Sequence, residues 1–249
     1  MEPWSFKKAK DLGLSTTERL RSVQRENGLL ETGFQMAWLG FGYLWMSAWH
    51  RLEVRGRENL PLETPYVLVA NHASHLDALV LSNVVPVGFR TRVVPIAAAD
   101  VFFEKNALAA FAALCANALP IWRRRRISGA HGLVELRERL LVDRFIYVLF
   151  PEGTRTRSGD LQPFKSGLGV LVAGTHVPVV PCRLAGSFEA APPGAHFPRP
   201  RKIIVDVGRP LSFGNVSNDH AGWLTIGKWA ADAIHQLGLQ APVSVSQPR

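Results

Sequence analysis

Cysteine is scarce in this sequence. Cys115 and Cys182 are the only two, each set among apolar neighbours. Residues so placed read as buried small hydrophobes rather than a disulfide or thiolate metal site, which points to a reducing, intracellular setting. The opening MEPWSFKKAKDLGLS lacks the continuous apolar core and small-residue cleavage pattern of a secretory leader, so export is not expected. No compact set of three or four strong metal ligands stands out, and metal-assisted hydrolysis is left without support. Internal repeats are absent too. Aromatic side chains do not interleave with basic ones but cluster in a leading apolar segment, which weighs against nucleic-acid recognition.

What is present is enough chain for a substantial core: 249 residues, 47% of them hydrophobic. One domain with a short appendage is expected. The formal charge of +9 favours anionic partners: nucleic acids, anionic membrane surfaces, or phosphorylated and carrier-bound substrates. Charge alone does not choose among them.

The appendage comes first. Residues 14–30 are charged and helix-capable, with Ser15 or Thr16 as caps and Glu18 placed early, which predicts an amphipathic docking helix. Residues 32–49, TGFQMAWLGFGYLWMSAW, carry no charge but are interrupted by Gly33, Gly40 and Gly42. Eighteen residues is the lower edge for a membrane span. Gln35, Ser47 and the aromatics favour insertion into one leaflet or burial against the domain.

Beyond a turn-rich stretch, apolar runs alternate with helical patterns. Strands are expected at 66–70, 91–98, 119–122, 145–150 and 202–207, and helices at 77–85, 106–118, 128–141, 165–173 and 223–237. Residues 177–181 read as an edge or irregular strand because of Pro178 and Pro181. Residues 185–200 read as a loop bearing Phe188, an aromatic able to face substrate. Alternating buried strands and helices specify an α/β fold with a mostly parallel or mixed sheet flanked by helices.

Two strand exits carry the chemistry. The run YVLVA ends in Asn71, His72, Ser74, His75 and Asp77. If a tight turn lets His72 and Asp77 meet, the carboxylate accepts from one imidazole nitrogen and leaves the other to act as a base. A loop-capping pair is the plainer reading of the same residues. The second exit follows residues 145–150 with Pro151, Glu152, Gly153, Thr154, Arg155, Thr156 and Arg157. Its glycines permit tight turns, and its hydroxyls and guanidinium groups offer donors to a phosphate. Glu152, itself anionic, suits orienting a guanidinium, a backbone group or a substrate hydroxyl.

Together the motifs Asn71-His72-Ala73-Ser74-His75-Leu76-Asp77 and Phe150-Pro151-Glu152-Gly153-Thr154-Arg155 resemble the glycerolipid acyltransferase family that includes 1-acylglycerol-3-phosphate acyltransferases. Their order and separation of about eighty residues carry the resemblance, which extends over residues 50–210. It implies an N-terminal helical membrane-docking segment, residues 1–50, before an acyltransferase catalytic domain, residues 51–240. It also implies His72 and Asp77 as the catalytic pair. Glu152, Gly153, Thr154 and Arg155 become the acceptor-phosphate site, joined by Arg123 or, in a shifted register, Arg124. Asn71, Ser74 and Lys165 become supporting residues. Residues 177–181 resemble the family's last apolar, proline-containing motif.

The implied reaction moves a fatty acyl group from acyl-CoA or acyl-ACP to the free hydroxyl of a lysophospholipid. With 1-acylglycerol-3-phosphate the product is phosphatidic acid. No cofactor beyond the thioester donor and no metal is implied, and no nucleic-acid partner is expected. The expected partners are the lysophospholipid, the thioester donor with or without acyl carrier protein, and an anionic membrane surface. The location is the cytoplasmic face of a membrane, peripheral or partly embedded. An acyltransferase for another amphiphile, such as an amino-acid lysolipid, is the alternative in the same class; a basic nucleic-acid-binding protein is the alternative outside it.

Overall fold

The computed structural model describes residues 8–122, 126–156, 158–192, 194–195 and 197–240. Arg123, Arg124 and Arg157 lie outside them. Among the described residues seven strands form one sheet: β1 (Glu53–Arg55), β2 (Tyr66–Ala70), β3 (Val93–Ala98), β4 (Leu119–Ile121), β5 (Ile146–Leu149), β6 (Val179–Ala185) and β7 (Ile204–Val207). Their order is β1-β7-β6-β2-β5-β3-β4. Among the described residues only β6 and β7 pair antiparallel, so the expected mixed α/β sheet is what forms.

Nine α-helices among the described residues surround the sheet: α1 (Thr16–Leu20), α2 (Leu29–Ala48), α3 (Asp77–Val84), α4 (Ala99–Phe102), α5 (Asn106–Ala110), α6 (Arg126–Val142), α7 (Gly167–Val172), α8 (Ser187–Ala190) and α9 (His220–Gln240). Strand β2 shows why its sequence is apolar without alternation. Val67 and Val69 enter a core shared with α6, α7 and α9, while Tyr66, Leu68 and Ala70 enter one shared with α2 and α3. A strand covered on both faces has no wet side to encode.

Residues 14–30 do not form one helix. Ser15 caps α1 in a capping box with Glu18, but helix ends at Leu20 and resumes only at Leu29. Between them Arg25 is drawn into the domain, where Nη2 donates to the Ala118 carbonyl. Gly28 then starts α2.

The expected helix at 106–118 is helical only through a π-helical turn at Phe111–Cys115, and stops before Asn117, whose φ is 51°. Residues 177–181 were expected as an edge or irregular strand, yet β6 lies inside the sheet between β7 and β2. Pro181 is tolerated because the Val179 amide bonds Leu211, away from β2, and two residues later Pro181 faces that same flank. There its carbonyl accepts Gly208 N–H, just before the β7 ladder begins at Cys182. The stretch after β6, expected to be a loop, contains the short helix α8.

Helix α2 lies across α3 and the π-helical turn. Gly42 lies at the crossing, where a Cβ would meet Leu79 Cδ1 at 2.6 Å and require that side chain to shift. Gln35, Gly42 and Met46 form a narrow buried stripe. Trp38, Leu39 and Trp45 are partly buried beside it, whereas the apolar Phe34, Phe41 and Leu44 are uncovered, at 57%, 50% and 67% exposure. Among the described residues no helix is long and apolar enough to cross a membrane.

Candidate active site

Strand register brings the two exits together. β2 and β5 are adjacent and parallel, with Tyr66 opposite Ile146 and Val69 opposite Leu149. Both therefore end on the same edge, the usual place for ligands in open α/β sheets. Residues about eighty apart in sequence leave side by side.

The first exit folds back at once. Asp77, fully buried at the start of α3, accepts His72 Nδ1–H through Oδ2 at 2.9 Å. The same oxygen accepts the backbone N–H groups of Ala73 and Ser74 at 2.7 and 2.8 Å. These bonds shape the loop, so the carboxylate that orients the imidazole also builds the turn that delivers it. Ser74 is buried, and its hydroxyl accepts Leu76 N–H at 3.2 Å. Asn71 reaches sideways, bonding both backbone groups of Leu184 and extending the β2–β6 pairing past the strand end.

The second exit clasps the first. Glu152 is 3% exposed; Oε1 accepts His72 N–H at 2.7 Å and Oε2 accepts Gln162 N–H at 3.0 Å. The His72 carbonyl in turn accepts Thr156 N–H at 2.8 Å. Burial pushes the Glu152 carboxyl up to about 7, against the pull of its two backbone donors. The Phe150 ring stacks on the imidazole at 4.1 Å between centroids and 15° between planes.

His72 opens onto a cavity of about 570 Å³. Gly153, Thr154, Arg155 and Lys165 line it near the imidazole, whereas Glu152 lies beneath with its oxygens committed to backbone. Gly153 adopts a φ of +71°, and a Cβ there would meet Lys165 Nζ at 2.6 Å; glycine lets the lysine lie against the loop. Arg155 pairs with no carboxylate among the described residues and, after burial, is the largest influence lowering the His75 pKa. His75 meets the Phe102 ring edge to face at 5.8 Å.

Away from the loops the cavity follows β3 from Ala98 back to Val93. That is about 16 Å at a strand's rise per residue. Trp38, Leu39, Leu79, Phe111 and Cys115 form much of its apolar wall. Arg90 closes the remote end, its guanidinium bonded to the carbonyls of Val85 and Asn83, beside Asn117 bonded to the Val93 carbonyl. A base at one end, cationic side chains around it and an apolar channel behind suit a substrate with an anionic head, a hydroxyl and a hydrocarbon tail.

Residues 51–185 match the family described as Acyltransferase. The chain belongs to the acyltransferase family. Both loops of the site fall inside the matched span. Its relatives include the 1-acyl-sn-glycerol-3-phosphate acyltransferase alpha of Homo sapiens, 37% identical over 131 residues, 53% of this chain and 44% of that protein. The Mus musculus protein of the same name is 36% identical over 170 residues, 68% of this chain and 58% of the relative. This acyltransferase chain thus spans about half the length of the curated relatives it matches. Its fold resembles the crystal structure of the 1-acyl-sn-glycerophosphate (LPA) acyltransferase PlsC from Thermotoga maritima, with a TM-score of 0.64 and 23% identity. That match covers 84% of this chain and 81% of the other.

Sequence reasoning about this acyltransferase missed three parts of the site. Thr156 and Gln162 bond through their backbone N–H groups, which side-chain chemistry does not advertise. Phe150 stood in view as the last apolar residue before the loop, but alternation alone does not tell a ring over an imidazole from one in the core. Phe188, considered for the substrate face, is absent from the cavity lining.

Proposed function

We propose that this chain transfers a fatty acyl group from acyl-CoA or acyl-ACP to the free hydroxyl of a lysophospholipid, with 1-acylglycerol-3-phosphate the favoured acceptor and phosphatidic acid the product. The observation that carries this reading is the His72–Asp77 bond at the mouth of the apolar cavity. With Nδ1 held by Asp77, the other ring nitrogen takes the acceptor's hydroxyl proton. The acceptor oxygen bonds to the thioester carbonyl carbon, the carbon–sulfur bond breaks, and the thiolate leaves with the proton from the imidazolium. Asp77 supports the imidazolium between those steps. No acyl-enzyme is needed.

Arg155 and Lys165 provide positive charge for the acceptor phosphate, with Gly153 and Thr154 shaping the loop, and the channel along β3 suits an acyl chain. Asn71, Ser74 and Glu152 act in this scheme by holding the two loops. Residues 1–50 form a membrane-docking segment before the catalytic part, residues 51–240. The uncovered apolar side of α2 supports shallow insertion at the cytoplasmic surface of an anionic membrane, where the net charge of +9 favours approach.

Purified protein is tested against a panel of lysolipids with both thioester donors, and products are resolved by mass. Phosphatidic acid from 1-acylglycerol-3-phosphate, lost in His72→Ala by about 10²-fold or more, is the expected result. Acylation of a different lysolipid only would replace the acceptor, and a fully active His72→Ala would remove the mechanism.

A further inference from the structure

The imidazole of His72 is specified on an edge and on a face. Asp77 takes the Nδ1 edge, and Phe150 lies over the face, its ring only 15° from parallel. The two aids come from different elements, the start of α3 and the residue after β5. Phe150 is fixed in turn by its own backbone, because its carbonyl accepts Gly153 N–H at 3.0 Å in the turn that Gly153 closes at positive φ. Val148 and Leu149 are buried in the two cores, and Phe150 packs against the edge of the core that holds Val148 while, only partly buried, it lines the cavity beside His72.

The chemistry makes the face matter. A neutral imidazole becomes a cation when the acceptor hydroxyl gives up its proton, and the face of a benzene ring carries negative quadrupolar charge. We infer that Phe150 is a positioning residue for the reaction of His72: its ring fixes the imidazole plane against Asp77 and its face favours the imidazolium over the imidazole. This rests on the reading of His72 as the base. The charged and titratable groups around the imidazole are Asp77 on α3, His75 in the same loop, Glu152 and Arg155 in the second loop, and Lys165 just before α7. None of them covers the face that Phe150 covers.

Charge and shape can be varied separately. Phenylalanine at 150 is replaced in the full chain by 4-fluoro-, 3,5-difluoro- and pentafluorophenylalanine, which nearly keep the ring's outline while draining and then reversing its facial charge. Turnover is followed by thiol release with an acyl-CoA and 1-acylglycerol-3-phosphate. The expected result is a stepwise fall in kcat, reaching roughly two- to thirtyfold at the pentafluoro ring, with the acceptor KM steady. The acid limb of the kcat profile moves to lower pH along the series. Phe150→Leu falls in the same direction, and Phe150→Tyr recovers most of that loss.

A kcat and pH profile that stay flat across the fluorinated series overturn the inference, whether or not Phe150→Leu folds. Full turnover in His72→Ala would sink the base itself, whereas an inactive His72→Ala with a flat fluorinated series would sink only the role of Phe150.

Discussion

The Glu152 carboxylate accepts the backbone N–H of His72 at 2.7 Å, so the second loop holds the peptide of the first. With Thr156 N–H on the His72 carbonyl, the bonds continue past the strand ends as though β2 and β5 had not yet parted. Asp77 then turns the side chain. Backbone and imidazole are held by separate carboxylates, and their loss should be separable.

Asp77→Asn keeps an acceptor for the loop but removes the negative charge facing the imidazole. Turnover is expected to fall about 10²–10⁴-fold, with the unfolding midpoint shifted little. Asp77→Ala additionally leaves the N–H groups of Ala73 and Ser74 without their acceptor, at about 1–3 kcal/mol each. Kinetics and thermal unfolding of the two variants check this. Equal turnover in Asp77→Asn and the parent would remove Asp77 from the chemistry.

Glu152 should leave a mark on stability rather than on proton transfer. Burial raises its carboxyl from the ordinary 4.5 to about 7, so between those values the folded chain keeps a proton that the unfolded chain gives up. Its contribution to stability is fully present below about 4.5 and is lost as pH rises through about 7. Glu152→Gln cannot titrate, and its unfolding free energy should fall less than the parent's between pH 5 and pH 8. Denaturant curves at the two pH values check the sign, and parallel losses in both proteins would contradict it.

The two-sided burial of β2 makes Tyr66–Ala70 uniformly apolar, and that uniformity marks it as an inner strand of an α/β sheet. The His72–Asp77 spacing was equally legible, because a short turn is all the pair requires. Pro181 misled for a physical reason: a proline excludes one flank of a strand, not both, and sequence does not say which flank is already unpaired. Arg25 misled in the opposite way. A charge that reads as the wet face of a helix is here buried and paired with a carbonyl, which only the position of Ala118 explains. The Glu152–His72 bond joins a side chain to a backbone amide eighty positions away and leaves no local pattern at all.

Arg155 is the side chain near the imidazole best suited to grip a phosphate with two parallel donors. Arg155→Lys retains the charge but loses the fork, and the acceptor KM should rise about tenfold with kcat nearly steady. Arg155→Ala should go further. With a monoacylglycerol acceptor, which lacks the phosphate, neither substitution should matter. A KM change equal for both acceptors would assign Arg155 to the loop rather than to the headgroup.

For α2 the uncovered residues provide the test. Phe34→Ser, Phe41→Ser and Leu44→Ser combined remove exposed apolar surface without replacing a residue that lines the cavity; Phe41 does meet the lining residue Trp38, with ring centroids 5.6 Å apart. Flotation with anionic vesicles should drop by at least about tenfold, since each such side chain contributes about 1.5–3 kcal/mol when fully buried. Turnover on short-chain substrates below their aggregation limit should be kept. Undiminished flotation would place membrane contact elsewhere on the chain.

The cavity along β3 makes a separate claim about chain length. Ser82 is buried on α3, lines the channel and donates its hydroxyl to the Ala78 carbonyl. It lies five residues beyond Asp77, about 7.5 Å further along the helix. Ser82→Leu fills space at that depth, beyond the reacting carbonyl but short of Arg90. Short acyl donors should be used as before, while longer ones lose affinity as their distal methylenes, worth about 0.8 kcal/mol each, are shut out. Competition among a ladder of acyl-CoA chain lengths reads the outcome as a ratio, so a general loss of folded enzyme cancels. An unchanged ratio would mean that the acyl chain lies elsewhere, and that the apolar channel behind His72 serves the acceptor's tail or no ligand.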